Sequence, residues 1–322
     1  MEPLDSLPRV AAEECEAAAR AVRRVEENVS RAVEVDPAIL RHVLTALVAE
    51  GHVLLEDAPG VGKTALARAL AKSVALEFAR IQCTADLLPA DVMGTNVYNQ
   101  REQRFEFRPG PVFSNLLLVD EINRASPKTQ SGLLECMQER RVTVDIHTHE
   151  LARPFLVLAT QNPVEYEGTY PLPEAQVDRF MVRLSLGYPS ARAESEMLAL
   201  HEAGDRVEAL EPVLTATELL ELQDAATRVL ATPPLREYVV SLIRRTREDP
   251  RVELGASPRA GLMLLRAAKA RAMLEARDHA LPDDVQALAQ AVLSHRLLLA
   301  PEAVGVTPTR IVADAVAATP AL

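Results

Sequence analysis

Residues 52–74 constrain this chain more than any other stretch. A short apolar run, His52-Val-Leu-Leu-Glu56, leads into Asp57-Ala-Pro-Gly-Val-Gly-Lys-Thr64, and an Ala-rich segment that reads as a helix follows to Val74. The apolar run predicts a buried strand. Strand, glycine-bearing loop and helix, in that order, give the pattern G-x-x-x-x-G-K-[ST] its mechanical meaning. Backbone N–H groups of the tight loop and the start of the helix form a cradle for polyanionic phosphate. Gly60 and Gly62 permit close approach, Lys63 meets the outer phosphates and Thr64 offers a hydroxyl to Mg²⁺. The candidate nucleotide-binding set is Asp57, Ala58, Pro59, Gly60, Val61, Gly62, Lys63 and Thr64. Asp57 stands where the pattern has its first Gly.

Strand-like runs recur at Phe78–Cys83, Leu116–Val119 and Phe155–Ala159, with helical stretches between them, notably Thr129–Arg140. Such alternation predicts an α/β fold with a mostly parallel sheet. Two long connections, 84–114 and 141–154, read as inserted hairpins, and Arg141–His149 alternates with period two. Residues 9–33 read as an amphipathic helix, and Asp36-Pro37 starts a second one. After Gly187-Tyr-Pro189, residues 190–322 are almost all helix pattern. Helix starts are expected at Thr215 or Thr217, Pro234, Ser257-Pro258 and Pro282. The expected organisation is an N-terminal helical segment at 1–33, an α/β domain at 34–188 and a helical domain at 189–322.

Two further motifs carry chemistry. Leu116-Leu-Leu-Val-Asp-Glu121 is an apolar strand ending in two acids. Asp120 suits the carboxylate that supports Mg²⁺ beside a phosphate loop, and Glu121 suits a base that polarises an attacking water. Phe155–Pro163 ends another buried strand at Gln161-Asn162, and ligands of parallel sheets bind at that end.

Composition narrows the function classes. The 46 acidic and 35 basic residues leave a formal net charge of -11, poorly suited to neutralising nucleic-acid backbones. The three cysteines, Cys15, Cys83 and Cys136, are odd in number and show no C-x-x-C spacing, which argues against a disulfide framework or structural zinc. Cys83 and Cys136 read as small buried apolar residues. No apolar run approaches the ~20 residues of a membrane span, and the N-terminus lacks a signal pattern, so a cytoplasmic protein is expected. His147 and His149 share a strand face but lack a third ligand, and read as exposed. Arg244, Arg245, Arg247 and Arg251 alternate with acids and read as a solvated helix end.

Taken together, Asp57–Thr64, Asp120-Glu-Ile-Asn-Arg-Ala125, Ala159-Thr-Gln-Asn-Pro163 and Leu172-Pro-Glu-Ala-Gln-Val-Asp-Arg-Phe180 resemble the MoxR family of AAA+ ATPases. Phe105–Phe113 and Ser257-Pro-Arg-Ala260 join that resemblance, which runs from about residue 34 to the end of the chain. The family's Val-Gly turn ahead of the helix preceding the phosphate loop corresponds to Val33-Glu-Val-Asp36, without the Gly. The resemblance implies a three-layer αβα P-loop domain with a parallel sheet, followed by an all-helical lid domain. It implies hydrolysis of Mg·ATP by water attack on the γ-phosphate.

The resemblance also assigns roles. Asn162 corresponds to the sensor that acts with Glu121. Arg179 corresponds to the arginine finger offered to a neighbouring subunit, and Arg259 to the sensor arginine reaching the γ-phosphate of its own subunit. Local pairing of Arg179 with Glu174 or Asp178 is the competing reading of that residue. The family forms rings, usually hexamers, that remodel or mature protein complexes, with von Willebrand factor A domain proteins as usual associates. Arg101, Arg104 and Arg108 on the first insert then read either as a client contact or as a solvated hairpin balanced by Glu102 and Glu106. Two other functions compete. The acidic balance opposes a nucleic-acid motor, and intact Glu121, Asn162 and Arg179 oppose a nucleotide-gated binding module with little turnover.

Overall fold

The computed structural model describes residues 9–57, 60–162, 169–188 and 206–321. The chain begins with α1 (Ala12–Ala32) and α2 (Pro37–Val48), then β1 (Val53–Glu56), α3 (Lys63–Ser73) and β2 (Phe78–Gln82). The short α4 (Pro89–Met93) precedes a hairpin of β3 (Gly94–Asn99) and β4 (Arg104–Pro109). β5 (Leu116–Asp120), α5 (Pro127–Glu139) and a second hairpin of β6 (Arg141–Val144) and β7 (His147–Glu150) follow. β8 (Leu156–Gln161), α6 (Glu174–Val177) and β9 (Val182–Leu184) come next. The C-terminal part holds α7 (Ala216–Arg228), α8 (Pro233–Glu248), β10 (Val252–Leu254) and α9 (Pro258–Leu274). It ends with α10 (Pro282–Leu293), β11 (Leu298–Leu299) and α11 (Pro308–Ala318).

Five strands form one parallel sheet in the order β2-β5-β8-β1-β9. All five residues of β5 are buried, because both sheet faces are covered. Side chains alternate between those faces. Val53, Leu55, Leu116, Leu118, Leu156 and Leu158 enter one core with α1, α2, α3 and the C-terminal helices. Leu54, Leu117, Val119, Val157 and Ala159 enter the other with Leu133, Leu134 and Met137 of α5. Three layers follow from that alternation. Truncating Leu118 to Ala would cost about 2–5 kcal/mol through lost burial and a cavity. α1 packs against α3 and α9, so the N-terminal helix shares the larger core.

His52 joins three elements of these layers. Its Nδ1 accepts from Val157 N at 3.0 Å, and its Nε2 donates to Met137 O at 3.0 Å. Burial lowers its pKa to about 4, so the ring is neutral.

The structure differs from the sequence reading in several places. β9, a three-residue edge strand beside β1, is too short to stand out from periodicity. Both inserts are hairpins, and they touch: Asn96 Nδ2 donates to Asp145 Oδ2 at 2.7 Å, and Phe107 stacks on His149 at 3.9 Å. His149 is therefore half-buried rather than exposed, because the neighbouring insert supplies an aromatic face, whereas His147 is exposed. The C-terminal part is not wholly helical, since β10 and β11 form an antiparallel ribbon.

Helix starts follow their caps. Thr215 begins α7 with a capping box: its hydroxyl accepts from Glu218 N at 3.2 Å, and Glu218 accepts from Thr215 N at 2.7 Å. α8 starts at Pro233 behind the Thr232 cap, one residue ahead of Pro234. Residues 189–205, where the helical domain was expected to begin, lie outside the described residues. Cys15, Cys83 and Cys136 are buried and unpaired, and burial pushes the Cys83 and Cys136 thiols up to about 12. No described helix is long and apolar enough to cross a membrane, and no group of three potential metal-ligating side chains occurs among the described residues.

Candidate functional site

The site grows from the carboxyl ends of β1, β5 and β8. After β1 the chain reaches Asp57, whose carboxylate accepts from Ser185 Oγ at 2.6 Å, Leu186 N at 2.6 Å and Gly187 N at 3.1 Å. Three donors satisfy this carboxylate and tie the loop to the segment leaving β9. The departure from the Gly-first pattern thereby acquires a structural reason. Ala58 and Pro59 lie outside the described residues. Gly60 and Gly62 have φ of +87° and +91°, values that residues with a Cβ rarely adopt. Val61 lies half-buried between them, and Gly62 caps α3. Lys63 Nζ donates to the Asp57 carbonyl at 2.8 Å. Burial lowers the Lys63 pKa, while Asp57, Asp120 and Glu121 act in the opposite direction. A partly desolvated ammonium ion gains more from a phosphate than a hydrated one.

Asp120 ends β5 and is buried. Arg80, from neighbouring β2, donates from Nε to Asp120 Oδ2 at 2.7 Å. Thr160, from β8 on the other side, donates to Asp120 Oδ1 at 3.2 Å and accepts from Glu121 N at 2.9 Å. Glu121 adopts φ +54°, ψ +52°, a left-handed conformation that costs about 1–2 kcal/mol for a residue with a Cβ. Its carboxylate accepts from Arg124 Nη1 at 3.1 Å.

One cavity of about 360 Å³ collects these groups: Gly60, Gly62, Lys63, Thr64, Asp120, Glu121 and Asn162 all line it. It adds Arg80, Gln82 and Thr160, none of which sequence reading singled out. For Arg80 and Gln82 the signal was a polar residue at every second position around the apolar Ile81 of β2. A threonine hydroxyl and carboxylate oxygens are hard donors that suit Mg²⁺, so the side chains present fit that ion.

The two remaining arginines lie outside that lining. Arg179 follows α6, and its Nε has no hydrogen-bond partner among the described residues. It forms no ion pair there with Glu174 or with Asp178, whose carboxylate accepts from Arg296 Nε at 2.8 Å. Arg259 is the second residue of α9, half-buried and without an ion pair among the described residues. Of the surface arginines, Arg104 pairs with Glu102 at 2.5 Å and with Glu106 at 3.1 Å, and Arg251 pairs with Asp249 and Asp314.

Comparison with known proteins places the chain in a family. A model of the ATPase family associated with various cellular activities (AAA) matches residues 52–182, and an AAA lid domain model matches residues 244–315. An uncharacterised protein of Bacillus subtilis, YeaC, is 55% identical over 81% of this chain and 81% of its own length. Chaperone MoxR1 of Mycobacterium tuberculosis is 40% identical over 92% of this chain and 81% of that protein. Protein MoxR of Methylorubrum extorquens is 33% identical over 87% of this chain and 88% of its length. A crystal structure of a candidate ATPase from Cytophaga hutchinsonii superposes with a TM-score of 0.89 at 39% identity, covering 96% of this chain and 97% of the other. The chain belongs to the MoxR family of AAA+ ATPases.

Proposed function

We propose that this protein hydrolyses Mg·ATP and uses the cycle to remodel or mature a protein complex. The observation that carries the reading is the single cavity uniting the phosphate loop, Asp120, Glu121 and Asn162. Backbone N–H groups of the loop and the start of α3 hold the phosphates, with Lys63 on the outer ones. Thr64 and Asp120 hold Mg²⁺, which neutralises phosphate charge when bound. Glu121 accepts a proton from the attacking water, and Asn162 orients that water or the γ-phosphate.

Arg179 acts on the ATP of a neighbouring subunit and Arg259 on that of its own. An arginine on the developing phosphoryl charge contributes about 10³–10⁵ in rate. Arg179 lies outside the cavity of its own chain, which supports a role at a neighbouring one. Activity then depends on assembly into a ring, which we take to be a hexamer in the cytoplasm. The likeness to Chaperone MoxR1 of Mycobacterium tuberculosis supports a chaperone-like task, and the family resemblance points to a client with a von Willebrand factor A domain.

The test is ATPase rate against protein concentration, with particle size measured in parallel, for wild type, Glu121→Gln and Arg179→Ala. Specific activity should rise with assembly, and both variants should bind ATP but turn it over at least about 10²-fold more slowly. A flat rate per chain with an active Arg179→Ala would overturn the assembly-dependent mechanism. Strong, salt-sensitive stimulation by DNA or RNA would instead favour a nucleic-acid motor. Tight ATP binding with negligible turnover in the assembled state would favour a nucleotide-gated binding module.

A further inference from the structure

We propose that Asp178 and Arg296 form a positioning junction that sets where Arg179 is presented. The proposal rests on the reading of Arg179 as the arginine offered to a neighbouring site.

Arg296 lies in the turn after α10, and only 7% of it is exposed. Its Nε donates to Asp178 Oδ1 at 2.8 Å. Its Nη2 donates to the carbonyls of Asp178 at 3.1 Å and Phe180 at 2.6 Å. Its Nη1 donates to the Met181 carbonyl at 3.4 Å. One planar guanidinium thus grips the backbone on both sides of Arg179. Five N–H donors in a rigid fork suit such a clamp, and a lysine's point charge does not. A buried guanidinium is tolerated only where carboxylate and carbonyl acceptors satisfy it, so the clamp has few alternative arrangements. Phe180, fully buried in the core beside the sheet, anchors the same segment from below.

The junction has a second arm. Ser257 Oγ lies 3.4 Å from both Asp178 carboxylate oxygens. Ser257 also caps α9, accepting from Ala260 N at 3.1 Å, and stands two residues before Arg259. Asp178 therefore sits between the helix that carries Arg259 and the segment that presents Arg179. The Arg179 Nε takes no part in the clamp, since it has no hydrogen-bond partner among the described residues. The geometry separates the group that is presented from the groups that aim it.

The test compares Asp178→Asn, Arg179→Ala and the double variant at a concentration where wild type is fully assembled. ATP affinity, kcat, particle size and unfolding midpoint are measured for each. Asp178→Asn keeps the side-chain shape and removes the charge that pairs with Arg296. We expect unchanged assembly, ATP affinity within about threefold of wild type and kcat lower by about 10- to 100-fold, as for a slightly misplaced catalytic group. The double variant should be no slower than Arg179→Ala alone, because both changes act through one group. Wild-type kcat in Asp178→Asn beside an inactive Arg179→Ala would overturn the junction and leave the role of Arg179 standing. Multiplying losses in the double variant would also overturn it. An active Arg179→Ala would instead overturn the parent reading, and the junction with it. Arg296→Lys, which keeps the charge but not the fork, serves as the second variant. If neither Asp178→Asn nor Arg296→Lys folds and assembles, the junction serves folding alone and the proposal fails.

Discussion

Arg80 reaches across from β2 and donates to the Asp120 carboxylate at 2.7 Å. The carboxylate that would hold Mg²⁺ therefore already has a cationic neighbour. Arg80 is 49% exposed, which limits the pair to about 1 kcal/mol, or about fivefold in a binding constant. Removing a competing cation favours the metal. Arg80→Met should lower the Mg²⁺ concentration needed for half-maximal ATPase by up to about fivefold, with little change in thermal stability. A higher Mg²⁺ requirement would show that Arg80 organises the acid rather than competing for it.

Glu121 and Arg124 form a similar pair, with the carboxylate held at 3.1 Å. Glu121 already lines the cavity, and acting as a base would require its carboxylate to give up at most the Arg124 pair. The pair is partly exposed, so leaving it costs at most about 1 kcal/mol. Arg124→Ala should therefore change kcat by no more than about fivefold in either direction. Glu121→Gln should reduce kcat by about 10²–10⁴-fold while ATP still binds. Single-turnover kinetics on both variants separates the two. A dead Arg124→Ala with normal ATP affinity would give Arg124 a direct part in the chemistry.

Asp57 yields a prediction that runs against its motif. Asp57→Gly restores the literal phosphate-loop pattern, yet it strips the acceptor from Ser185, Leu186 and Gly187. Loss of charge-assisted bonds at a buried site should destabilise the protein by about 2–3 kcal/mol. Asp57→Asn should lose roughly half as much, since a neutral oxygen still accepts. Urea unfolding of both variants measures this, and a Gly variant as stable as wild type would remove the proposed tether.

Acid should weaken the fold through His52. The unfolded chain takes up a proton at this residue as pH falls through about 6.5, but the folded protein resists protonation until about 4. The unfolded state binds more protons across that window, so stability falls as pH drops from about 6.5 to 4, by about 3 kcal/mol in all. His52→Gln should be less stable at pH 7 and should lose this part of the pH slope. Unfolding midpoints at several pH values test it, and parallel slopes for wild type and variant would assign the acid sensitivity to other groups.

What was legible in the sequence was local. The phosphate loop, the Asp120-Glu121 pair and the strand ending at Asn162 are continuous stretches, in which neighbouring residues already dictate strand, turn or helix start. The parallel sheet followed from the alternation of strand-like runs with helical stretches. Other features depended on pairings between distant strands and helices. Arg80 and Thr160 each stand 40 residues from Asp120, and meet it only because β2, β5 and β8 lie side by side in register. β9 is three residues long and becomes a strand by pairing with β1. His149 is half-buried because the other hairpin brings Phe107 against it. Arg296 reaches Asp178 across 118 residues of chain, and nothing near either residue announces the contact. Short-range sterics and hydrogen bonding determined the elements and the candidate site motifs. Only the packed tertiary structure decided which charged side chains meet, because such pairs are set by sheet order and helix packing rather than by spacing along the chain.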